Sequence, residues 1–202
     1  PYPFYTYTLE LPPVPELTEE EKEELETRLE RWDKDPVSRH PGFYENIWQI
    51  FDQTSGYEKT KTIIFLGIKV DIHQDLLEEL AKVEDEITQN MKSDPELRSF
   101  VENLASLSGF NYRRIAGTST LSFHSLGVAV DIIPRSYSSN RVGTKQVYWR
   151  WAKSWNKEWY ALPYSQRFMP PQSFIDAFEN NGFIWGGKWF YFDTIHFEYR
   201  PE

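Results

Sequence analysis

The segment at positions 122 to 131, which reads Ser-Phe-His-Ser-Leu-Gly-Val-Ala-Val-Asp, constrains the fold of this chain more than any other. Apolar residues alternate with small ones along its second half, which predicts a strand that contains Asp131. Gly127 and Ala129 lie on the same face of that strand as Asp131 and leave room above it. The carboxylate of Asp131 can therefore meet the imidazole of His124, which the loop before the strand carries. We interpret these two side chains as candidate metal ligands.

A third ligand must come from another part of the chain, and His196 is the best candidate among the remaining histidines. It lies in a predicted strand at 194 to 199, three positions after Asp193. Two imidazoles and one carboxylate leave one position of a tetrahedral Zn²⁺ open for water, as in catalytic zinc sites, and a second carboxylate nearby can act as a base. An isolated His124–Asp131 pair is more often two ordinary hydrogen-bonded side chains, so the first segment alone is a modest signal.

Two separated motifs give the chain a resemblance to a known family. They are Ser122-x-His124-x-x-Gly127-x-Ala129-x-Asp131 and Trp185-Gly186-Gly187-x-Trp189 followed by Asp193-x-x-His196-Phe197-Glu198. In order and spacing, both resemble the D-alanyl-D-alanine carboxypeptidase and L-alanyl-D-glutamate peptidase family of VanY-like zinc peptidases. The resemblance covers about residues 60 to 202.

The resemblance implies chemical roles for four residues of the two motifs. His124, Asp131 and His196 are implied as the ligands of Zn²⁺, and Asp193 as the catalytic base. Many relatives carry Glu at the position of Asp193. The shorter side chain of this protein therefore requires a slightly closer approach to the water.

Residues near the motifs are predicted to contact the substrate. The resemblance implies an arginine in the predicted strand at 110 to 115 that contacts the substrate carbonyl. Arg113 and Arg114 point to opposite faces of a regular strand, so at most one of them faces the site, and we favour Arg113. The paired glycines at 186 and 187 permit close approach of the backbone to a bound peptide. The residues predicted to bind substrate are Ser122, Trp185 and Gly186.

The substrate that the resemblance implies is a peptidoglycan stem peptide, and an exported, periplasmic or cell-envelope location is inferred from that substrate alone. We expect a D-alanyl-D-alanine carboxypeptidase, with an L-alanyl-D-glutamate endopeptidase as the first alternative. A carboxypeptidase needs a cation for the terminal carboxylate of its substrate. Arg135, Arg141 and Lys188 are candidates by position, although all three can equally be surface charges.

A non-catalytic, metal-containing module that binds cell-wall peptides is the alternative from another functional class. The presence of Asp193 speaks against it, because a purely structural metal site has no use for a spare carboxylate three residues before a ligand. A serine or cysteine hydrolase is disfavoured, because the chain has no Cys and no Gly-x-Ser-x-Gly motif.

Composition narrows the possible partners. The net charge of −9 argues against nucleic acid and against an anionic membrane surface, since either requires a basic face. Much of the acidity lies in residues 16 to 30, which hold eight glutamates and are typical of a solvated helix face. We find neither a transmembrane run nor a signal peptide in the sequence, and we expect a monomer.

The predicted fold is α+β, with a small antiparallel sheet that is flanked by helices and carries the zinc site. We predict that residues 1–56 form an N-terminal extension, with a proline-rich arm and helices that pack on the domain, and that residues 57–202 form the zinc peptidase domain. The strands are predicted near residues 62–72, 110–115, 127–133, 183–186 and 194–199.

Helices are predicted from capping signals and apolar stripes. Thr18 and Glu21 form a capping box, and Asp94 caps a second helix that we expect to run past Leu104. Other helices are expected at 43–51 with Ile47, Trp48 and Phe51 inward, after His73 at 76–87, and at 146–159 and 171–180. We predict a turn at 54–56, a polar loop beside the site at 134–144, and a capping or surface role for His73.

Overall fold

The structure is a computed structural model that describes residues 7–34, 42–115 and 120–200. Within these ranges the helices are α1 (Glu19–Lys34), α2 (Phe43–Trp48), α3 (Gln53–Lys59), α4 (Leu77–Asn90), α5 (Pro95–Glu102), α6 (Trp149–Lys153) and α7 (Gln172–Glu179). The strands are β1 (Thr60–Phe65), β2 (Ile68–His73), β3 (Leu104–Ser108), β4 (Ala129–Pro134), β5 (Tyr137–Ser138), β6 (Arg141–Val142), β7 (Lys145–Gln146), β8 (Phe183–Trp185) and β9 (His196–Tyr199). The predicted α+β class is confirmed. No helix in the described ranges is long and apolar enough to cross a membrane.

A four-stranded antiparallel sheet with the order β3-β4-β9-β8 forms the centre of the molecule. Helix α7 covers one of its faces and buries Phe174 and Phe178, as the apolar stripe predicts. The ring of Phe178 stacks on Phe197 of β9 at a centroid distance of 4.2 Å. This aromatic packing fixes β9, which carries a predicted metal ligand, against a rigid helix.

The predicted single strand at 62–72 is wrong, because this segment is the hairpin of β1 and β2. Leu66 and Gly67 form its turn with φ values of 50° and 77°. Positive φ at both central residues is the geometry that matches the twist of two antiparallel strands. Because β-branched residues continue on both sides of the turn, the sequence pattern predicts one strand where the structure has two.

The predicted strand at 110–115 is also wrong. The regular strand is β3, which begins at Leu104, directly after α5 ends with the C-cap Asn103. Leu104 is buried but belongs to a strand, and its spacing of seven residues from Leu97, which fits a helix, explains why the sequence pattern extends the helix too far. In the predicted range, Arg114 forms an isolated bridge with Leu121.

The predicted starts of α4, α5 and α7 lie within one residue of the observed ones, whereas the segment at 43–56 differs from its prediction. Asp94 caps α5 by accepting the Leu97 N–H at 2.9 Å, and α4 buries Leu80, Val83 and Ile87. Helix α2 already ends at Trp48, so that Trp48 and Ile50 are buried while Ile47 and Phe51 are exposed. The predicted turn at 54–56 lies inside α3, which begins at the N-cap Asp52.

The predicted loop at 134–144 contains most of a small antiparallel sheet formed by β5, β6 and β7. The predicted helix at 146–159 is reduced to α6, and Trp159 lies in a separate 3-10 turn. Trp159 is buried, whereas Trp155 is half exposed. This segment is therefore held by the packing of large aromatic side chains and not by one long helix.

A second apolar cluster, which we call the satellite cluster, lies apart from the main core. Its buried members are Ala152, Trp159, Tyr160, Leu162 and Phe192, and Leu25, Leu29, Trp149, Phe190 and Tyr191 pack against them. Leu25 and Leu29 come from α1, so the N-terminal helix is held by this cluster. The Thr18–Glu21 capping box is present in α1, since the Thr18 N–H donates to Glu21 Oε2 at 2.8 Å.

The proposed boundary between residues 56 and 57 stays a prediction. Trp48 and Ile50, from the N-terminal side of that boundary, are buried in the same core as the central sheet. His40, for which we predict the same capping or surface role as for His73, lies outside the described residues. The segment from residue 42 onward therefore packs as part of the body that carries the sheet.

Candidate metal centre

The side chains of His124, Asp131 and His196 meet at one end of strands β4 and β9. Asp131 Oδ1 lies 3.1 Å from His124 Nε2 and 2.8 Å from His196 Nδ1, and the two nitrogens are 3.2 Å apart. Asp131 and His196 are directly paired residues of the two strands, and His124 lies in a 3-10 turn (Phe123–Leu126) just before β4. The structure thus brings together the three residues that the sequence singles out.

The turn that carries His124 is fixed at both ends. Ser122 caps it, because its Oγ accepts the backbone N–H of His124 at 3.3 Å. Gly127 ends it in the left-handed region with φ of 65°. A Cβ at Gly127 would lie 2.8 Å from Thr60 Cγ2 and 3.0 Å from the backbone nitrogen of His73. Gly127 is therefore required both by its conformation and by its close approach to the hairpin.

Each imidazole makes a hydrogen bond on the side away from the cluster. His124 Nδ1 is 2.7 Å from the carbonyl oxygen of Gly109, and His196 Nε2 is 3.0 Å from Glu198 Oε2. Because a carbonyl and a carboxylate only accept, the far nitrogen of each ring carries the proton and donates it. In the neutral rings the near nitrogens then present lone pairs to the cluster, which is the usual arrangement of metal-binding histidines.

The two groups that orient the rings are themselves held in place. Gly109 lies so close to β2 that a Cβ there would be 2.0 Å from the carbonyl oxygen of Asp71. Glu198 is buried, and its second oxygen accepts Arg200 Nε at 2.6 Å. Both orienting acceptors are therefore preorganised by the surrounding backbone and side chains.

The electrostatics of the cluster favour a cation. Burial alone would raise the pKa of Asp131, but His124 and His196 outweigh it and hold that pKa well below its usual range. Burial alone would lower the pKa of His196, but its hydrogen bonds to Asp131 and Glu198 raise it to about 10. In the metal-free protein, a proton on His196 thus supplies the positive charge between the two carboxylates.

The residues fit a zinc ion. Zinc takes His nitrogen and carboxylate oxygen at about 2.0–2.2 Å, which places tetrahedral ligand atoms roughly 3.3–3.6 Å apart. The donor atoms of His124, Asp131 and His196 form a group that could hold a metal ion, with all of these atoms within 4.8 Å of one another. Opening the cluster by about half an ångström would give the zinc spacing.

Asp193 lies on the segment that leads into β9. Its N–H donates to the carbonyl oxygen of Gly186 at 3.0 Å, and it pairs with Tyr148 in an isolated antiparallel bridge. Its Oδ1 is enclosed and makes no hydrogen bond within the described ranges. Burial and the charge of Asp131 raise the pKa of Asp193 to about 7. The result is a carboxylate that can hold or release a proton near neutral pH.

Of the two candidate arginines, Arg113 is electrostatically linked to Asp193. Its charge lowers the pKa of Asp193, in opposition to burial and Asp131. The Arg113 side chain is exposed, while its backbone is fixed by Ser125, whose Oγ accepts the Arg113 N–H at 2.7 Å. Arg114 is exposed and bridges to Leu121 through the backbone.

The residues predicted to bind substrate have structural roles in this conformation. Ser122 is the cap of the His124 turn. Trp185 is fully buried and its indole N–H donates to the carbonyl oxygen of Thr194 at 2.9 Å, so the side chain belongs to the core. Gly186 holds Asp193, and a Cβ there would lie 2.5 Å from the Asp193 carbonyl oxygen. Substrate contact by these three residues stays a prediction.

The remaining candidates differ in their burial and in their partners. His73 caps the 3-10 turn before α4, and its Nε2 donates to the carbonyl oxygen of Trp48 at 2.9 Å, so the capping role is correct although the residue is buried. Lys188 is buried in an ion pair with Glu179 at 2.6 Å. Arg135 is exposed, and Arg141 is partly buried. Lys188 is therefore wrong as a free cation for a substrate carboxylate.

Sequence reasoning missed Glu198 and Gly109 as orienting groups. A signal existed for Glu198, because residues two apart on a strand share a face and Glu198 follows His196 at that spacing. No signal existed for Gly109, whose contribution is a carbonyl oxygen placed by tertiary packing.

One comparison with known protein families matches the part of the chain that carries the candidate site. A family model described as D-alanyl-D-alanine carboxypeptidase matches residues 116–199. No curated protein and no solved structure matches the chain. The matched segment contains all three candidate ligands and Asp193.

Proposed function

We propose that the chain is a zinc-dependent D-alanyl-D-alanine carboxypeptidase that acts on peptidoglycan stem peptides, and the match of residues 116–199 to the family model described as D-alanyl-D-alanine carboxypeptidase supports this proposal. One observation carries the proposal. It is the convergence of the facing atoms of His124, Asp131 and His196 near the buried carboxylate of Asp193, whose Oδ1 makes no hydrogen bond to the described part of the chain.

We propose that His124 Nε2, Asp131 Oδ1 and His196 Nδ1 hold the zinc ion. When bound by three protein ligands, zinc keeps one open position, lowers the pKa of water to about 7 and polarises carbonyl groups. The hydrogen bonds from the two imidazoles to Gly109 and Glu198 keep the ring lone pairs aimed at one point. The chain thereby fixes the site before any ligand arrives.

Asp193 is the proposed proton carrier. Its Oδ1 takes a proton from the attacking water as the new carbon–oxygen bond forms, and gives that proton to the amine nitrogen as the carbon–nitrogen bond breaks. In the metal-free protein, burial and Asp131 raise the pKa of Asp193 above its usual range, which favours a carboxyl group that can both accept and deliver a proton. Arg113, with an exposed guanidinium close enough to lower that pKa, is proposed to donate to the carbonyl oxygen of the substrate.

Arg141 is the proposed partner for the terminal carboxylate of the substrate. It lines a cavity of about 350 Å³ together with Lys145 and Gln146. The chain runs from this cavity through Gln146 to Tyr148, which pairs with Asp193. Two cations beside one cavity suit a carboxylate, whereas Lys188 is consumed by Glu179.

Product analysis tests the proposal. The zinc-loaded protein is incubated with a muropeptide pentapeptide, and the products are weighed by mass spectrometry. Loss of one alanine supports the carboxypeptidase, and release of the stem from L-Ala indicates the L-alanyl-D-glutamate endopeptidase instead. An unchanged peptide with metal bound indicates the non-catalytic binding module.

A second arm tests recognition of the terminal carboxylate. Amidation of the peptide C-terminus removes a charge-assisted hydrogen bond worth about 1.5–3 kcal/mol and should slow cleavage accordingly. Arg141→Ala should remove the difference in cleavage rate between the free acid and the amide, while Arg135→Ala serves as the exposed control.

Since peptidoglycan lies outside the cytoplasm, the proposal implies export to the periplasm or cell envelope. The monomeric state stays a prediction.

A further inference from the structure

The N-terminal arm contacts the turn that precedes Asp193. Residues 7–12, which we call the strap, have no regular secondary structure and lie outside the segment that matches the family model. The hydroxyl of Tyr7 donates to Glu179 Oε1 and accepts the backbone N–H of Trp185 at 2.8 Å. Lys188 Nζ donates to the carbonyl oxygen of Leu9. The two ends of the turn at 185–188 are therefore both held by the strap.

The contacts are centred on a buried ion pair. The side chains of Lys188 and Glu179 are only 2% and 3% exposed, and Lys188 Nζ lies 2.6 and 2.8 Å from the two Glu179 oxygens. The same ammonium lies 5.3 Å from the ring centroid of Tyr7. Buried charges are tolerated only when their remaining hydrogen-bonding capacity is used. Leu9 and Tyr7 supply those partners to Lys188 and Glu179.

Tyr7 also completes an edge of the central sheet. Strand β8 ends the sheet order, and Trp185 is its last residue. In the described part of the chain, the backbone N–H of Trp185 is satisfied by the Tyr7 hydroxyl. Burial and the neighbouring Glu179 carboxylate raise the pKa of Tyr7 well above its usual range, so the hydroxyl stays protonated.

The turn held by the strap is also the one that places Asp193. Gly186, between the two attachment points, accepts the Asp193 N–H at 3.0 Å. The indole of Trp185 donates to the carbonyl oxygen of Thr194 at 2.9 Å, directly after Asp193. A displacement of the turn is therefore transmitted to Asp193 through two hydrogen bonds.

We propose that Tyr7 is a positioning residue for Asp193, and that the strap is part of the catalytic unit. This inference rests on the proposed function for the role of Asp193, and on the contacts alone for the fixing of the turn. A loss of Tyr7 would leave the zinc ligands in place and loosen the proton carrier. We expect such a change to lower kcat and to leave KM nearly unchanged, because substrate binding does not depend on the exact position of the Asp193 carboxylate.

The test compares Tyr7→Phe with Tyr57→Phe in the zinc-loaded 202-residue chain. Tyr57 is an exposed tyrosine that makes a hydrogen bond to Gln53, so it matches the chemical change outside the site. Amide hydrogen exchange is measured by mass spectrometry, together with zinc content and with kcat and KM on the peptide that the parent cleaves. Loss of the Tyr7 hydroxyl removes its hydrogen bonds to Glu179 and to the Trp185 N–H, and predicts at least about tenfold faster exchange in the peptide covering 185–193 and about a tenfold lower kcat for Tyr7→Phe alone.

Three results would overturn the inference: unchanged exchange at 185–193, equally faster exchange throughout the molecule, or a parental kcat despite local loosening. The second result would make Tyr7 a general stabiliser only. If the parent cleaves no peptide, the proposed function fails. The exchange comparison then still decides whether Tyr7 fixes the turn, so the two failures are distinguishable.

Discussion

Asp131 and His196 lie directly opposite each other on β4 and β9, and their facing atoms are 2.8 Å apart. Opposed residues of an antiparallel pair share a face, so the strand register itself builds two thirds of the proposed metal site. A slip by one residue would turn His196 to the other face of the sheet. Folding of the sheet and assembly of the site therefore depend on the same pairing.

His196→Ala is expected to abolish stable zinc binding. The change removes one of three ligands and leaves the carboxylates of Asp131 and Glu198 without the imidazole between them. Elemental analysis after dialysis measures the result. His73→Asn is the matched control, since His73 is also buried but hydrogen-bonds to Trp48 and Asp75. Full zinc occupancy in the His196 variant would refute the ligand assignment.

Asp193→Asn is expected to keep zinc and to lose catalysis. Asn has nearly the same shape but cannot accept and deliver the proton, and removal of a general base costs about 10²–10⁴ in rate. Zinc content and single-turnover rates on the same preparation separate the two properties. Hydrolysis at the parental rate would refute the mechanism, whereas loss of zinc would identify Asp193 as a ligand.

Glu198→Gln is expected to weaken zinc binding by about 10- to 100-fold, which is the usual effect of losing the partner of a ligating histidine. Gln can still accept from His196 Nε2, so the ring orientation is kept while the charge is removed. Competition with a chelator gives the zinc affinity.

The parent should also release a proton when zinc binds at pH 8, because Asp131 and Glu198 raise the pKa of His196 to about 10 against the effect of burial.

Calorimetry in buffers of different ionisation enthalpy measures that proton. The Glu198→Gln variant should release less of it, because one of the two groups that raise the His196 pKa has lost its charge. Equal release from both proteins would show that Glu198 does not control the protonation of His196.

The metal-free protein should be stabilised by Asp193→Asn at pH 8 but not at pH 4. Burial and Asp131 raise the Asp193 pKa from 3.8 to about 7, so the folded protein keeps a proton that the unfolded chain has released. Stability is therefore lost as the pH rises from about 4 to about 7. The gain at pH 8 is on the order of 2–4 kcal/mol. Urea unfolding in the presence of a chelator measures it, and equal gains at both pH values would contradict the raised pKa.

The ligand set could be predicted because two separated motifs, each confined to a short segment, resemble those of a known family. His124 and Asp131 belong to one turn and the strand that follows it, and His196 opens the last strand. The hairpin at Leu66–Gly67 could not, because the apolar β-branched run continues across a turn with no typical turn dipeptide. Local pattern thus placed the reactive groups better than it placed the strand boundaries.

The roles of Lys188 and Tyr7 could not be predicted from local sequence. Their contacts with each other and with Glu179 join segments from the two ends of the chain. By position alone, Lys188 was as plausible a substrate cation as Arg141. Only tertiary packing shows that its charge is neutralised by a buried carboxylate.

The satellite cluster gives the protein a built-in optical reporter. The rings of Trp149 and Trp159 are 5.0 Å apart, and Tyr191 stacks on Trp159 at 5.5 Å. Indoles at this distance couple their electronic transitions and produce a paired circular-dichroism band, which disappears when the rings separate. Trp149 follows Tyr148, the bridge partner of Asp193. A bound peptide that displaces the segment at Tyr148 and Trp149 should therefore change this band, which can be recorded without any label.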